Sequence, residues 1–405
     1  MPPPEKIMNL QYVRAFAALW VMIFHYTIGL APDSLIARGA YMIVSHGYLG
    51  VDIFFVLSGY IVSYTYAHRK NTILGFMAMR YARIYVGFVP IVAVYLIYLN
   101  FAPIPFSGNI VKSLLLIMQP AEHTPISVTW TLHYELNFYI LFVLIALLPI
   151  KRKKFLIMSL VSIYGLWICY LMINFIDPLE HFTNILKPFH YSIKYMLLPY
   201  TLDFCAGVAI FFYKPRIPHA LGMSFIAFIA FLAVEYVIFS DMKAFQQTNY
   251  FFYRVIAALP FAMLLILAAI QTQQTHGGRI HRAAERLGDA SYALYLWHFP
   301  VLNIVNHRND GTASPLQIVI FCSIVTIILS VYWAHYIEKP LLQCAKRTIQ
   351  TIELNIYRAY QRCTRIKSST THENFHDSQR LCQRCDAVYA CASEIHVRLV
   401  QFPKR

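Results

Sequence analysis

Residues 10–30 read LQYVRAFAALWVMIFHYTIGL. The run is long and apolar enough to cross a bilayer as one helix, yet it holds Arg14 and His25. At about 100° per residue, their eleven-residue separation makes three turns and roughly 20°, so both side chains share one helix face, roughly 16 Å apart along the axis. An ionisable pair on one face of a membrane helix is costly, and such groups ordinarily turn toward protein or a watery cavity. Arg14, near the helix start, can snorkel to the headgroups and needs no other duty. His25 is too deep and too short for that. It is either a neutral core histidine with one hydrogen bond or a working group.

The rest of the chain repeats the apolar pattern. Of 405 residues, 58% are hydrophobic, and the mean hydropathy is +0.51. Ten runs of about bilayer length are read, near 10–31, 43–66, 84–101, 128–149, 155–174, 197–213, 219–240, 250–271, 290–306 and 315–337. The expected fold is therefore all-α, a polytopic membrane helix bundle of about ten transmembrane helices. Alternate connections hold Arg69, Lys70, Arg80 and Arg83, then Lys151 to Lys154, then Lys214 and Arg216, then Arg279, Arg282 and Arg286, 13 basic residues in all. The opposite connections hold Arg38, Lys112, Lys187, Lys194, Lys243 and Arg308, only 6. The richer side is cytoplasmic by the positive-inside rule, and an even number of spans puts both termini there. The same placement explains the net charge of +15 without nucleic acid, because the basic residues of the membrane region sit in short loops. No small-residue cleavage site follows the first run, so no cleavable leader is expected.

Two regions are expected, a membrane domain over 8–342 and a basic cytoplasmic tail over 343–405. Helical periodicity fades beyond Arg358, and the tail reads as largely disordered or as a small appendix. Of eight cysteines, five fall from Cys344 onward. Cys382, Cys385, Cys391 and His396 could suggest zinc, but the gaps are irregular and no second close pair is present. Reduced thiols are the expectation, with no metal. In the long connection 102–127, the run 110–118 is too short to span and reads as interfacial or re-entrant.

With this topology His25, Asp52, His133, Glu135 and Asp203 all fall in the outer half of the membrane, with His298 near the middle of the ninth span. Several should converge on one interior site. Asp52 and Asp203 serve equally well as hydrogen-bonding groups between helices. Glu135 with His25 is the more pointed pair, because a carboxylate on one imidazole nitrogen sets the tautomer that a general base needs. At the cytoplasmic end Arg80 and Arg83 share a helix face near Arg14. Clustered guanidinium groups suit phosphates, although ordinary positive-inside charge explains such a pair as well.

The ordered set of motifs resembles a known family over about residues 9–342. It comprises the Arg14–His25 pair with its ten-residue gap, GYLGVDIFFVLSG at 47–59, RYAR at 80–83 and WTLHYELNFY at 130–139. LDFCAG at 202–207, LGDASYALYLWH at 287–298 and IEKP at 337–340 follow. The chain resembles the integral-membrane type-three acyltransferase family, which modifies sugars of bacterial envelopes and exopolysaccharides. The resemblance implies a multi-pass inner-membrane enzyme that moves an acyl group, foremost acetyl, from acyl-CoA to a hydroxyl of a saccharide or lipid-linked glycan. It implies acetyl-CoA as donor, its phosphates held by Arg80 and Arg83 with Arg14. His25, oriented by Glu135, is the implied base, and an acyl-histidine intermediate stays open. Asp52, Trp130, His133, Tyr139 and His298 are the expected substrate-side residues, with Trp130, His133 and Tyr139 as oxyanion donors; Tyr292 and Trp297 join His298 on the acceptor side. His133 stands where many relatives have a small or acidic residue. Some relatives carry an added periplasmic hydrolase-like domain; the chain shows none, which implies direct transfer to the acceptor. The rival reading is a multi-span transporter. Transporters often show paired broken helices in two similar halves, and the sequence has no such internal symmetry.

Overall fold

The fold is that of a computed structural model that describes residues 7–28, 30, 35–68, 72–102, 106, 108–117, 123–148, 200–241, 247–272, 278–309 and 313–369. Helix α1 is Met8–Thr27 and α2 is Leu35–Val44, followed after a tight turn by α3, Leu49–His68. The Trp20 indole donates to Ile43 O (2.9 Å) and pins α2 to α1. Helix α4, Ile73–Phe101, opens at Thr72, whose hydroxyl accepts the Gly75 N–H. A one-turn helix, α5 (Ile110–Leu114), packs under α4, with the Tyr85 hydroxyl donating to Leu115 O (3.2 Å). The described part of that run, 110–117, is thus one helical turn and its exit rather than a span. Helix α6 is Trp130–Ala146, α7 Tyr200–Tyr213, α8 Ala220–Asp241 and α9 Gln247–Gln271. Then come α10 (Arg279–Asp289), α11 (Ser291–Arg308) and α12 (Pro315–Trp333), the last opened by a capping box between Ser314 and Gln317. A single π turn, Ala334–Glu338, leads into α13, Lys339–Ser369. Pro340 lacks an N–H and its ring crowds the carbonyl four residues back, which the wider turn relieves.

Helices α1 and α3 form the axis of the bundle. One apolar core joins Val21, Met22 and Tyr26 of α1 and Phe55 of α3 to α4, α6, α7, α11 and α12. A second joins Ala17 and Trp20 of α1 and Ile53 and Leu57 of α3 to α8 and α9. Between α3 and α7 the backbones touch. A Cβ on Gly59 would meet Phe204 O, and one on Gly207 would meet Val56 O. Small residues at a crossing allow that approach.

Among the described residues five helices are long and apolar enough to cross a membrane, Arg38–His68, Ile73–Phe101, Ser127–Ala146, Arg254–Gln271 and Pro315–Ala359; Tyr200–Tyr213 and Ala220–Tyr236 are shorter apolar helices. Rows of exposed apolar side chains, such as Ile320, Ile324 and Ile328 on α12 and Phe225, Ile226 and Ile229 on α8, are the surfaces a bilayer would cover. The described elements are all helical or irregular, and the molecule is a helical membrane protein. The span expected at 155–174 lies outside the described residues, as do Cys382, Cys385, Cys391 and His396 of the tail.

Three boundaries differ from the sequence reading. Helix α4 starts at Ile73, not near 84, so Arg80 and Arg83 lie within the helix rather than ahead of the span. The Thr72 cap and the apolar Ile73 and Phe76 carry the helix back through them. The connection after α9 contains an amphipathic helix, α10, with its Tyr12–His281 hydrogen bond (2.8 Å) to α1. Finally, α13 runs through the boundary drawn at 342 and on to Ser369.

Candidate active site

Five helices, α1, α3, α4, α6 and α11, line a cavity of about 160 Å³. Arg14 enters it from α1, Arg80 and Arg83 from α4, Glu135 and Tyr139 from α6, and Tyr292 and Tyr295 from α11. The i, i+3 spacing puts both α4 arginines on the same face. Arg80 donates to Thr65 Oγ1 on α3 and lies over the Phe76 ring at 5.1 Å. Arg83 donates to Glu338 Oε1 at 2.6 Å and lies over the Tyr292 ring at 5.6 Å. Tyr292 is held in turn by its bond to Ile84 O (2.8 Å). Tyr139 donates to Glu135 Oε1. Among the described residues Arg14 is held by Gln11 Oε1 alone, at 3.5 Å, which leaves further guanidinium donors facing the cavity. Three guanidinium groups against the Glu135 and Glu338 carboxylates leave the cavity with a positive excess. In a low-dielectric surrounding such a site suits an anion with several oxygens.

His25 does not line this cavity, yet it is coupled to it. Its Nδ1 lies 2.9 Å from Val21 O, one turn back in α1. A carbonyl only accepts, so Nδ1 carries the proton, and the neutral ring keeps its lone pair on Nε2. The ring packs on His298 of α11, centroids 4.9 Å apart and tilted 43°. His298 is 0% exposed, and among the described residues neither ring nitrogen meets a hydrogen-bond partner. Its backbone is fixed by Tyr26, whose hydroxyl donates to His298 O (3.0 Å) and also meets Thr326 Oγ1 (2.6 Å). On its other side His298 meets the ring of Tyr295 at 5.6 Å, and Tyr295 lines the cavity. The arginine cavity, Tyr295, His298 and His25 thus form one continuous row.

A family model described as an acyltransferase domain matches residues 8–335. The chain belongs to this acyltransferase family. It is 25% identical over 375 residues to the O-acetyltransferase OatA of Staphylococcus aureus, a match that covers 84% of this chain and 58% of that protein. To the peptidoglycan O-acetyltransferase OatA of Listeria monocytogenes it is 22% identical, over 83% of this chain and 56% of that protein. To the exopolysaccharide production protein ExoZ of Rhizobium meliloti it is 24% identical, over 73% of this chain and 90% of that protein. The chain therefore spans less than three-fifths of the length of the two OatA proteins. No solved structure matches it significantly.

The fold gathers only some of the residues expected to meet. Glu135 does not hydrogen-bond His25; its partner is Tyr139, and the orienting bond to His25 comes from Val21 O. His133 donates from Nδ1 to Thr129 O (3.0 Å) in its own helix, and its Nε2 is buried without a partner. Trp130 packs against Tyr134 and Tyr200, centroids 5.8 and 5.4 Å away. Neither residue lines the cavity. Asp52 belongs to a second polar cluster. It and Asp203 are 0% exposed and lie side by side, and Arg254 Nη2 stands 3.9 Å from Asp52 Oδ2. Arg254 also donates to the Tyr200 hydroxyl and lies over the Tyr48 ring at 4.6 Å.

Glu338, Tyr295 and Arg254 carry contacts here that the residue-by-residue reading did not assign. The first two sit inside quoted motifs, so the signal was present without a role. Arg254 lies inside the expected run 250–271 and in none of the quoted motifs. Among the described residues no group of three or more His, Cys, Asp or Glu is arranged to hold a metal ion.

Proposed function

We propose that this acyltransferase is a multi-pass inner-membrane enzyme of about ten spans, with both termini in the cytoplasm. It moves an acetyl or similar short acyl group from acyl-CoA to a hydroxyl of a saccharide or lipid-linked glycan. The observation that carries this reading is the row from the three-arginine cavity through Tyr295 to the His298–His25 pair. A phosphorylated donor and a base for a hydroxyl are the two things such a transfer needs, and the row supplies groups for both. The names of the relatives, two O-acetyltransferases and an exopolysaccharide production protein, support a saccharide acceptor.

In this reading Arg80, Arg83 and Arg14 bind phosphate oxygens of the donor at the cytoplasmic end. The cavity is far smaller than a whole acyl-CoA, so it takes the pantetheine arm while the nucleotide stays outside. His25 Nε2 accepts the proton of the acceptor hydroxyl as that oxygen attacks the thioester carbonyl carbon. The tetrahedral intermediate collapses with loss of the CoA thiolate, which takes the proton back from Nε2. His298, with two unpartnered ring nitrogens beside His25, is the group best set to hold the acceptor or the oxyanion. Glu135 acts on the arginine side, where it accepts from Tyr139 and keeps the cavity's charge from exceeding what one donor neutralises.

The test is the acetyl-ester content of cell glycans by mass spectrometry, with the wild-type gene, without it and with His25→Ala, alongside acetyl-CoA consumption by purified protein. Loss of one ester in both altered strains is expected. Unchanged glycans together with no consumption of acetyl-CoA would overturn the reading and favour transport of an unaltered solute.

A further inference from the structure

Helix α13 lies beyond the family match, which ends at residue 335. It does not hold its place by burial. From 339 to 359 no residue of it is buried, and Ile352 and Leu354 are exposed. What fastens it is a carboxylate. Glu353 Oε1 accepts from the Thr72 hydroxyl (2.5 Å) and from the Thr72 N–H (3.3 Å). Thr72 is the cap of α4, and its own hydroxyl accepts the Gly75 N–H (2.9 Å). A Cβ on Gly75 would collide with the Glu353 carboxylate, so glycine is what lets the acid lie against the first turn. A negative charge there also meets the positive end of the α4 dipole.

A second carboxylate on the same continuous stretch reaches the same helix. The π turn swings Glu338, 3% exposed, onto Arg83 at 2.6 Å. Glu338 Oε2 is buried with no partner, so Arg83 is the group that compensates this acid. The two acids thus grip α4 at Thr72 and at Arg83, eleven residues or roughly 16 Å apart along the axis. Arg80 lies between the two grips.

We propose that residues 334–369 are a positioning element of the donor site. Glu338 and Glu353 are positioning residues that set the rotation and height of α4, and through it the reach of Arg80 and Arg83 into the cavity. The proposal rests on the reading of those arginines as the donor-phosphate site.

The experiment is CoA affinity of the purified full chain by titration calorimetry, together with KM and kcat for acetyl-CoA. Glu353→Ala should weaken CoA binding and raise the donor KM roughly three- to ten-fold, the effect of losing one or two hydrogen bonds, with kcat nearly unchanged. Glu353→Gln, which keeps an acceptor oxygen, should recover most of the affinity. Thr72→Ser keeps both the cap and the hydroxyl that donates to Glu353 and should keep the CoA affinity. The decisive arm repeats Glu353→Ala in an Arg80→Ala, Arg83→Ala background, where it should have no further effect on CoA affinity. An equal loss in both backgrounds would make α13 ordinary packing and overturn the proposal, as would unaltered CoA affinity in Glu353→Ala. If Arg80→Ala with Arg83→Ala itself leaves CoA affinity intact, the donor-site reading falls and this inference falls with it.

Discussion

Two of the buried clusters of charge among the described residues are built differently. In the arginine cavity, Arg14, Arg80, Arg83 and Glu135 surround about 160 Å³ of space, and Arg14 has almost no partner of its own. In the Asp52–Asp203–Arg254 cluster the guanidinium is wrapped by Tyr48 and Tyr200 rings and bonded to a tyrosine hydroxyl, and none of the three charged residues lines that cavity. One arrangement faces its guanidinium groups onto space; in the other the Arg254 guanidinium is packed against rings and bonds the Tyr200 hydroxyl of a neighbouring helix. Buried charge in a membrane bundle therefore marks helix pairing as readily as chemistry. What separates the two is unspent hydrogen-bonding capacity beside a void.

That contrast can be broken by measurement. His25→Ala should lower acyl transfer by about 10²- to 10⁴-fold, the usual contribution of a general base, while the melting temperature in detergent holds. An active, stable His25→Ala protein would return this histidine to packing. Arg254→Met should act on the other ledger, costing about 3–5 kcal/mol of stability by stranding two buried carboxylates. The folded fraction should keep its donor KM, and a fully stable but inactive Arg254→Met would move that cluster into the site. Arg80→Ala with Arg83→Ala should weaken CoA binding by about ten- to a hundred-fold through lost charge-assisted bonds. The wild-type affinity should fall with added salt, and that dependence should flatten in the double variant. Tyr295→Phe is the mildest test. It removes bonds to Val128 O (3.1 Å) and Thr131 Oγ1 (3.0 Å) and should cost about 1 kcal/mol of stability, with only a small change in kcat because the ring that meets His298 remains.

Much of this was legible in the chain itself. Apolar runs of bilayer length announce helices, and those that fall on described residues are helical. The i, i+3 arginines and the Arg14–His25 face could be read because they are local, within one helix. The pairing of His25 with Glu135 went astray for a physical reason. Topology assigns a depth to each side chain but not a heading, and Glu135 heads toward Tyr139 and the arginines while His25 heads toward His298. His298 was expected on the acceptor side, yet its contact with His25 spans 273 residues of chain and leaves no periodic trace. The Asp52–Arg254 and Glu353–Thr72 contacts are likewise long-range. The span at α4 was started too late because Arg80 and Arg83 interrupt its apolar run, and the helix continues through them to Ile73.

The glycine crossing of α3 and α7 has a mechanical consequence. Two helices that touch through side chains can slide, since rotamers repack as the surfaces shift. Where Gly59 and Gly207 bring main chain against main chain, there is no such lubricating layer. The pair behaves as a fixed axle. Any gap that opens beside the site must come from the elements hung on either side of it.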